Sequence, residues 1–308
     1  MEIVTDLREP DQVLGRVADH GAVLLRPAGR FSRAEFVALG DALMRPRSHG
    51  AALAEAREFV AGDATTTTVT TGRQGIPLHR EASYVPGSPS LLMFYCERPA
   101  AEGGETTVCD GVQLLAALPQ AIREFVTRAE IRWQLDMPDG SWQEMCGADD
   151  PAAAIAAIAG YAPFLMPWES VTADAVGRTV RVRLSTRCVT PALFDNLPAF
   201  CNSVLVQTGR RSSAADHGRR LELRMADGAP FPVEVLSAVA LVAEELTVPV
   251  PWQPGDVVIV NNTRVMHGRR GFADPARRIL VRMGYLTPGS VDRWWREPAA
   301  LDRVPPVR

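Results

Sequence analysis

Residues 76–81 read Ile-Pro-Leu-His-Arg-Glu, a short extended run that ends in a histidine and a glutamate two positions apart. In a β-strand, residues i and i+2 point to the same face, so His79 and Glu81 can direct an imidazole nitrogen and a carboxylate to a common point. Joined by a second histidine, they would form the facial triad that holds non-haem iron(II) with coordination positions left open. Without further context, a strand-end histidine beside a solvated acid is the more common explanation of such a pair.

A second histidine lies near the other end of the chain. His267 follows the apolar run at residues 257–260, where a histidine is more often structural than metal-binding. Arg278 changes that balance, because it stands at the start of the next predicted strand. An arginine that points into a sheet interior needs an anionic partner, and a guanidinium pairs with a carboxylate through two parallel hydrogen bonds. Two histidines, one carboxylate and an inward Arg278 could therefore hold a metal ion and a dicarboxylate together.

The remaining pattern favours a mainly β fold with helical cover. Residues 91–96 form an apolar run of strand length, and residues 178–187 alternate between apolar and polar side chains. Ser32 and Glu35 form a capping box that opens a helix, and residues 233–246 carry apolar side chains at helical spacing. Many strands with turn signals and no βαβ rhythm indicate a jelly-roll double sheet.

Three segments allow more than one interpretation. The threonine-rich stretch 65–71 is predicted to be a sheet edge or a wall of the site. Residues 207–230 are polar and glycine-rich, which is typical of a solvated loop, although a mobile cover over a site is the alternative. The C-terminal tail, with Trp294 and Trp295, could pack back on the surface.

Composition excludes several classes of protein. The 308 residues are 46% hydrophobic and 22% charged, as in ordinary globular proteins. No apolar run approaches the ~18 residues of a membrane span, and the first residues lack the pattern of a signal peptide. All 33 basic residues are arginine, which excludes a Schiff-base, pyridoxal-phosphate or P-loop lysine. The net charge of −3 argues against a nucleic-acid surface, and five cysteines without a C-x-x-C pair favour a reducing cytoplasm.

Taken together, the motifs resemble the TauD/TfdA superfamily of Fe(II)- and 2-oxoglutarate-dependent oxygenases. The match is to the branch with H-x-E in place of H-x-D, which includes clavaminate synthase and SyrP-like enzymes. The matching motifs stand in the family's order between residues 65 and 286: residues 76–81, Phe-Tyr-Cys at 94–96 with Pro-Ala at 99–100, Gly-Gly-Glu-Thr at 103–106, Pro-Trp-Gln-Pro-Gly-Asp at 251–256, Asn-Asn-Thr-Arg-Val-Met-His-Gly-Arg at 261–269, and 277–281. One departure is Arg80, where SyrP-like sequences often have asparagine, and it bears on the substrate rather than on iron binding.

The resemblance implies one oxygenase domain over residues 1–308, with a double-stranded β-helix, or jelly-roll, core at about 65–286. Carried over residue by residue, it also implies three sets of site residues: the iron ligands His79, Glu81 and His267, a site for the distal carboxylate of 2-oxoglutarate at Arg278 and Thr106, and a site for the anionic group of the substrate at Arg282. Arg277 is expected to point to the opposite face and to be structural.

The implied cosubstrates are 2-oxoglutarate and O₂, and the implied reaction couples decarboxylation to succinate and CO₂ with oxidation of an unactivated C–H bond. Because family halogenases lack the carboxylate ligand that Glu81 supplies here, the expected outcome is hydroxylation, desaturation or cyclisation. The SyrP-like resemblance implies a small-molecule substrate, an amino acid that is free or tethered to a carrier protein, in secondary metabolism such as antibiotic biosynthesis.

Two other functions remain open at this point. A zinc hydrolase can use the same three ligands with an open position, but it leaves Arg278 and the Gly-Gly-Glu-Thr turn without a role. A non-catalytic 2-oxoglutarate-binding protein is the other alternative, and the complete ligand set argues against it.

Overall fold

The computed structural model describes residues 1–5, 7, 9–47, 57–60, 62–70, 72–208 and 218–286. The tail with Trp294 and Trp295 lies outside the described residues, as do residues 48–56, Thr71 and residues 209–217 of the segment predicted to be a loop or a cover. None of the helices in the described ranges is long and apolar enough to cross a membrane.

Strands make up most of the regular structure. Their bounds are β1 Glu2–Val4, β2 Ala22–Leu25, β3 Met44–Pro46, β4 Phe59–Val60, β5 Asp63–Thr68, β6 Ile76–His79, β7 Leu91–Arg98, β8 Thr106–Asp110, β9 Glu130–Met137, β10 Ser170–Val176, β11 Thr179–Arg187, β12 Thr190–Pro191, β13 Pro198–Ala199, β14 Arg220–Met225, β15 Val248–Pro249, β16 Val257–Asn261, β17 Val265–Arg269 and β18 Arg278–Leu286. The α-helices are α1 Pro10–His20, α2 Arg33–Leu43, α3 Gly111–Ala117, α4 Gln120–Arg128, α5 Ser141–Cys146, α6 Pro151–Ala159 and α7 Val233–Glu245, and short 3₁₀ turns lie at Ala162–Phe164 and Val204–Thr208.

Two sheets form the centre of the molecule. The large sheet has the strand order β1-β2-β16-β7-β18-β5-β4, with β3 also paired to β18, and the small sheet has the order β15-β8-β17-β6. Their shared core contains Leu24, Phe94 and Val258 from the large sheet and Val108 and Val265 from the small one. Two largely antiparallel sheets packed face to face over one core are the jelly roll that the sequence predicted.

Helices cover the outer faces of both sheets. Val13 and Val17 of α1 and Phe36 of α2 pack on the outer face of the large sheet. Helices α3, α4 and α7 pack against the outer side of the small sheet, where Met266 and Leu78 belong to the same core cluster. A third sheet, β10-β11-β9-β14, adjoins this cluster. The helical cover is therefore also as predicted.

Several local predictions are confirmed, and one is corrected. The capping box at Ser32 and Glu35 opens α2, and burial alternates along β11 as the sequence alternates. Residues 207–230 are not entirely a loop, because β14 lies within them and pairs with β9. The sequence of β14 alternates polar and apolar residues, and Leu221, Leu223 and Met225 pack against the core cluster, as expected of a half-buried strand.

Candidate metal centre

Two histidines meet where the strands β6 and β17 pair. The antiparallel register places His79 directly opposite His267, and their ring centroids are 4.2 Å apart. Gly268 permits the close approach, because a Cβ there would lie 2.6 Å from the carbonyl oxygen of Ile76 and 2.9 Å from the hydroxyl of Thr107. Backbone pairing alone thus brings together two side chains from distant parts of the sequence.

Glu81 completes the cluster. Its Oε2 lies 3.7 Å from Nε2 of His79 and 3.5 Å from Nε2 of His267. One ligand atom from each of the three residues lies within 4.8 Å of the other two. Two imidazoles and one carboxylate on one side of a shared point are the donor set of a facial triad.

Hydrogen bonds orient the ring of His79 and hold the backbone of Glu81, whereas Nδ1 of His267 has no hydrogen-bond partner among the described residues. Nδ1 of His79 lies 2.9 Å from the carbonyl oxygen of Pro77, which fixes the tautomer that leaves Nε2 unprotonated toward the cluster. The Asn262 side chain accepts from the Glu81 N–H at 2.9 Å and donates to the Glu81 carbonyl at 3.1 Å. Asn262 is fully buried, so it clamps the backbone of the carboxylate ligand on both sides.

The electrostatic surroundings favour the protonation states that a metal requires. Burial alone would raise the pKa of Glu81, but the guanidinium of Arg57 and the two imidazoles outweigh it, and the pKa lies well below its usual range. Burial, and after it the neighbouring His79, lowers the pKa of His267 to about 4. Near neutral pH, Glu81 is therefore an anion and His267 a neutral imidazole, as metal ligands must be.

The triad lines a cavity of about 440 Å³, a volume that includes its part open to solvent. Apolar walls come from Phe94 and Val281, among others, and the guanidinium groups of Arg57, Arg269 and Arg277 also line it. Val69 and Thr70 belong to the lining, so the threonine-rich stretch does form a wall of the site.

Arg277 and Thr106 lie in this cavity together. Nε of Arg277 donates to the carbonyl oxygen of Gly104 at 2.7 Å, and among the described residues no carboxylate forms an ion pair with it. Burial, followed by the nearby charge of Arg269, lowers the pKa of Arg277 to about 10. The Thr106 hydroxyl accepts a hydrogen bond from the Trp252 indole at 3.2 Å.

The expectation that Arg278 points into the sheet interior is wrong. Its side chain is 43% exposed, and its Nε donates to Glu97 Oε2 at 2.6 Å on the outer side of the molecule. Alternation along β18 puts Ile279 and Val281 on the cavity side with Arg277, and the ladder shifts register between Arg278 and Ile279. The expected positions of the two neighbouring arginines are therefore exchanged: Arg277 is the inward one.

The expectation that Arg282 binds the anionic group of the substrate is also wrong, because Arg282 does not face the cavity. Arg282 is 1% exposed, but it lies on the outer face of the large sheet beneath α2. Its Nη1 donates to Asp63 at 2.8 Å and to Thr66 at 3.0 Å, and its Nη2 pairs with Asp41. Because two carboxylates already neutralise it and it does not line the cavity, it is a structural residue here.

Two further arginines that line the cavity, Arg57 and Arg269, could not be identified as site residues from the sequence. Arginine is common in this chain, and neither residue has a motif of its own. Arg269 donates to the carbonyl oxygens of Thr70 at 2.6 Å and Gln74 at 2.8 Å, and so ties the segment before β6 to β17. Arg80 is 3% exposed, and its Nε has no hydrogen-bond partner.

The chain matches the model of the family described as taurine catabolism dioxygenase TauD, TfdA family, over residues 4–283. It belongs to the TauD/TfdA family. A clavaminate synthase-like protein of Arabidopsis thaliana is 28% identical over 240 residues, which are 74% of this chain and 70% of the relative. The dapdiamide synthesis protein DdaC of Enterobacter agglomerans is 27% identical over 290 residues, which are 90% of this chain and 84% of the relative.

Solved structures show the same fold. A taurine dioxygenase from Burkholderia xenovorans aligns with a TM-score of 0.56 at 13% identity, covering 91% of this chain and 81% of that one. Identity at this level is informative about the fold alone, and it agrees with the jelly roll described above.

As a TauD/TfdA member, the protein is a 2-oxoglutarate-dependent non-haem iron dioxygenase that uses iron(II), 2-oxoglutarate and O₂. The donor set fits the iron: two imidazoles and a carboxylate converge without a fourth protein ligand in the described cluster. When bound, iron with 2-oxoglutarate and O₂ supplies the oxidation of a C–H bond, which no side chain can perform. The chain's own share is to hold the iron, to orient what binds beside it and to exclude water with apolar walls.

Proposed function

We propose that this dioxygenase hydroxylates, desaturates or cyclises an amino acid or an aminoacyl-type intermediate of natural-product synthesis. The family supplies the reaction class, and the relatives support the substrate class: one is named for dapdiamide synthesis and another for its likeness to clavaminate synthase. A carboxylate ligand at Glu81 favours these outcomes over halogenation. Antibiotic biosynthesis is the corresponding pathway class.

We assign iron binding to His79, Glu81 and His267, and the distal carboxylate of 2-oxoglutarate to Arg277 with Thr106. The observation that carries the assignment is that Arg277, which has no ion-paired carboxylate among the described residues, lines the same cavity as the triad. A buried guanidinium needs an anionic partner, and a carboxylate meets it with two parallel hydrogen bonds. Arg277 thus takes the role that the family resemblance gave to Arg278.

We further propose that residues 1–308 act as one oxygenase domain in the cytoplasm. Strand β2, close to the N-terminus, pairs with β16 of the large sheet, which supports a single unit. The five cysteines are all free thiols, in keeping with a reducing compartment.

The test is succinate formation by the purified protein with iron(II), 2-oxoglutarate, ascorbate and O₂ across a panel of free L-amino acids and aminoacyl carrier proteins. We expect one class of substrate to stimulate succinate formation. The mass of that substrate should rise by one oxygen atom on hydroxylation or fall by two hydrogen atoms on desaturation or cyclisation. His267→Ala should abolish both signals, since it removes a ligand. Stimulation only by compounds unrelated to amino acids would overturn the substrate class, and activity with Zn²⁺ but none with iron(II) would favour a hydrolase.

A further inference from the structure

Arg57 is the cation in direct contact with the metal triad. Its Nη2 donates to Oε1 of Glu81 at 3.2 Å, whereas Oε2 of the same carboxylate faces the two histidines. The two oxygens of Glu81 are therefore divided between the imidazoles and the guanidinium. Arg57 therefore holds the Glu81 oxygen that does not face the histidines.

The other end of the Arg57 guanidinium has no acceptor among the described residues. Nη1 is buried and lacks a hydrogen-bond partner there, and the whole side chain is only 12% exposed. Arginine N–H groups that are removed from water are normally satisfied. Arg57 lines the same cavity as the triad, so a rotation of its guanidinium would present Nη1 to an acceptor in this cavity.

The charges around the cavity point to an anion. Its described lining contains three guanidinium groups, those of Arg57, Arg269 and Arg277, and one carboxylate, Glu81. An iron(II) ion and a 2-oxoglutarate dianion cancel each other, so the excess positive charge remains for another ligand. Arg269 is engaged by backbone carbonyls and Arg277 is the proposed seat of 2-oxoglutarate. Arg57 contacts one carboxylate, that of Glu81, but the two histidines share this carboxylate, and Nη1 of Arg57 has no described partner. Its charge is therefore only partly compensated, and an uncompensated buried charge is costly.

The arginine that the family resemblance offered for this purpose is not available. Arg282 faces away from the cavity and is neutralised by Asp41 and Asp63. Val281, its neighbour on the cavity side, carries no charge. Recognition of an anionic substrate in this chain thus requires a different cation.

We propose that Arg57 binds a carboxylate of the substrate through Nη1 while Nη2 keeps its contact with Glu81. The inference rests on the proposed function and narrows it. A free amino acid presents its α-carboxylate, whereas an aminoacyl thioester has lost that group and keeps a carboxylate only if its side chain is acidic. The carboxylate we assign to Arg57 is the α-carboxylate, so the substrate class is a free amino acid rather than a carrier-bound one.

The test measures equilibrium binding rather than turnover. Wild type, Arg57→Gln, Arg57→Lys and the control Arg178→Gln are loaded with iron(II) and 2-oxoglutarate without O₂, and ligands are titrated while the visible absorption of the iron–2-oxoglutarate complex is followed. Arg178 is a fair control because its side chain is 83% exposed and pairs with Asp139 at the surface. The probes are the free L-amino acids, the methyl ester of each that binds, hexanoate and 3-phenylpropionate as simple carboxylates, and taurine as a sulfonate.

We expect the methyl ester to bind about 10- to 100-fold more weakly than the free acid to the wild type, the size of effect that loss of a charge-assisted hydrogen bond gives. Arg57→Gln should lose affinity for the free acid by a similar factor, Arg57→Lys should recover part of it, and the affinity for 2-oxoglutarate should change by less than about threefold in both. Arg178→Gln should match the wild type.

Three results overturn the inference: an ester that binds as well as its acid, an Arg57→Gln protein that keeps full affinity for the acid, or a wild type that responds to no carboxylate or only to taurine. A failure of the proposed function looks different. If hexanoate or 3-phenylpropionate binds in an Arg57-dependent way and no amino acid does, then the role of Arg57 stands and the amino-acid class falls.

Discussion

The arginines just before and along strand β18 have opposite surroundings. Arg277, which directly precedes the strand on its inner side, lines the metal cavity and has only a backbone carbonyl, that of Gly104, as a described hydrogen-bond partner. On the outer face, Arg278 is paired with Glu97 and Arg282 with two aspartates. The outer arginines therefore have carboxylate partners within the protein, although Nε of Arg282 has no described hydrogen-bond partner, whereas the inner one has no ion-paired carboxylate among the described residues.

This contrast shows that burial alone does not reveal a binding arginine. Arg282 is more deeply buried than Arg277, with 1% of its surface exposed, yet its carboxylate partners give it a structural role. A buried charge with its own partners contributes to the structure, and one without them marks a ligand site. The predictions below separate these two kinds of arginine by stability and by ligand affinity.

The largest effect on stability is expected for Arg282→Leu. The substitution leaves Asp63 without its ion pair beneath α2, and we expect a loss of about 2–4 kcal/mol in the free energy of unfolding, below the upper end for buried pairs because Asp41 is 56% exposed and can rehydrate. Denaturant unfolding measures the loss. Asp41→Asn should cost about 1 kcal/mol or less.

The folded fraction of the Arg282→Leu protein should still bind 2-oxoglutarate with iron(II) as the wild type does. A drop in that affinity with unchanged stability would show that Arg282 faces the ligand after all, and the contrast between the two faces would then be lost.

For Arg277→Gln we expect the reverse pattern. Removing the guanidinium should weaken 2-oxoglutarate binding by about 30- to 1,000-fold, because a truncated partner of a desolvated charge pair costs about 2–4 kcal/mol. Stability should fall by less than about 1 kcal/mol, since the metal-free and ligand-free protein offers this arginine no carboxylate. Anaerobic titration of the iron-loaded protein with 2-oxoglutarate is the measurement. Arg277→Lys keeps the positive charge but not the two parallel N–H donors of the guanidinium, so its affinity for 2-oxoglutarate should lie between those of the wild type and Arg277→Gln.

The exchange of Arg277 and Arg278 also shows what sequence can and cannot fix. The triad could be predicted because His79 and Glu81 are only two positions apart and His267 belongs to a recognisable motif. The strand geometry assumed for the pair was not needed, since β6 ends at His79 and Glu81 lies in the turn that follows. Which residues of β18 point toward the cavity could not be predicted. Residues 279–284 are all buried, and their sequence does not alternate between polar and apolar residues, so it does not show which side chains share a face. A register shift beside Arg278 is not visible in the sequence either.

The partners of the arginines were hidden for a related reason. Asp41 lies on α2 and Asp63 on β5, and nothing in their local patterns relates either residue to Arg282. Arg57 and Asn262 likewise reach Glu81 only through the packing of distant segments. The jelly roll, the helical cover and the capping box could be predicted because periodicity and helix caps are local features of the sequence. Side-chain partners on different sheets are not local, so the sequence does not reveal them.

A smaller effect is expected from Gly40→Ala, which probes the outer face through α2. A Cβ at Gly40 would lie 2.9 Å from Nε of Arg282, so the buried side chain must shift. We expect a loss of about 1–2 kcal/mol from crowding, partly offset by the better helix propensity of alanine. In the Arg282→Leu background the same change should cost less, and a double-mutant cycle by denaturant unfolding measures that coupling. Equal costs in both backgrounds would contradict the packing of Arg282 against this helix.

The smallest effect is expected for Arg278→Gln. The Arg278 side chain is 43% exposed and pairs with Glu97 at the surface, where removing an ion pair costs about 1 kcal/mol or less. Because the guanidinium lies on the outer face, the affinity for 2-oxoglutarate should change by less than about twofold, and the small loss in stability should shrink further in high salt. Paired measurements on Arg278→Gln and Arg277→Gln make this the sharpest comparison in the chain, since the two substitutions are chemically identical and adjacent. If instead the change at position 278 abolishes 2-oxoglutarate binding and the change at 277 does not, then the inward arginine is Arg278, and the phase of β18 differs from the one described.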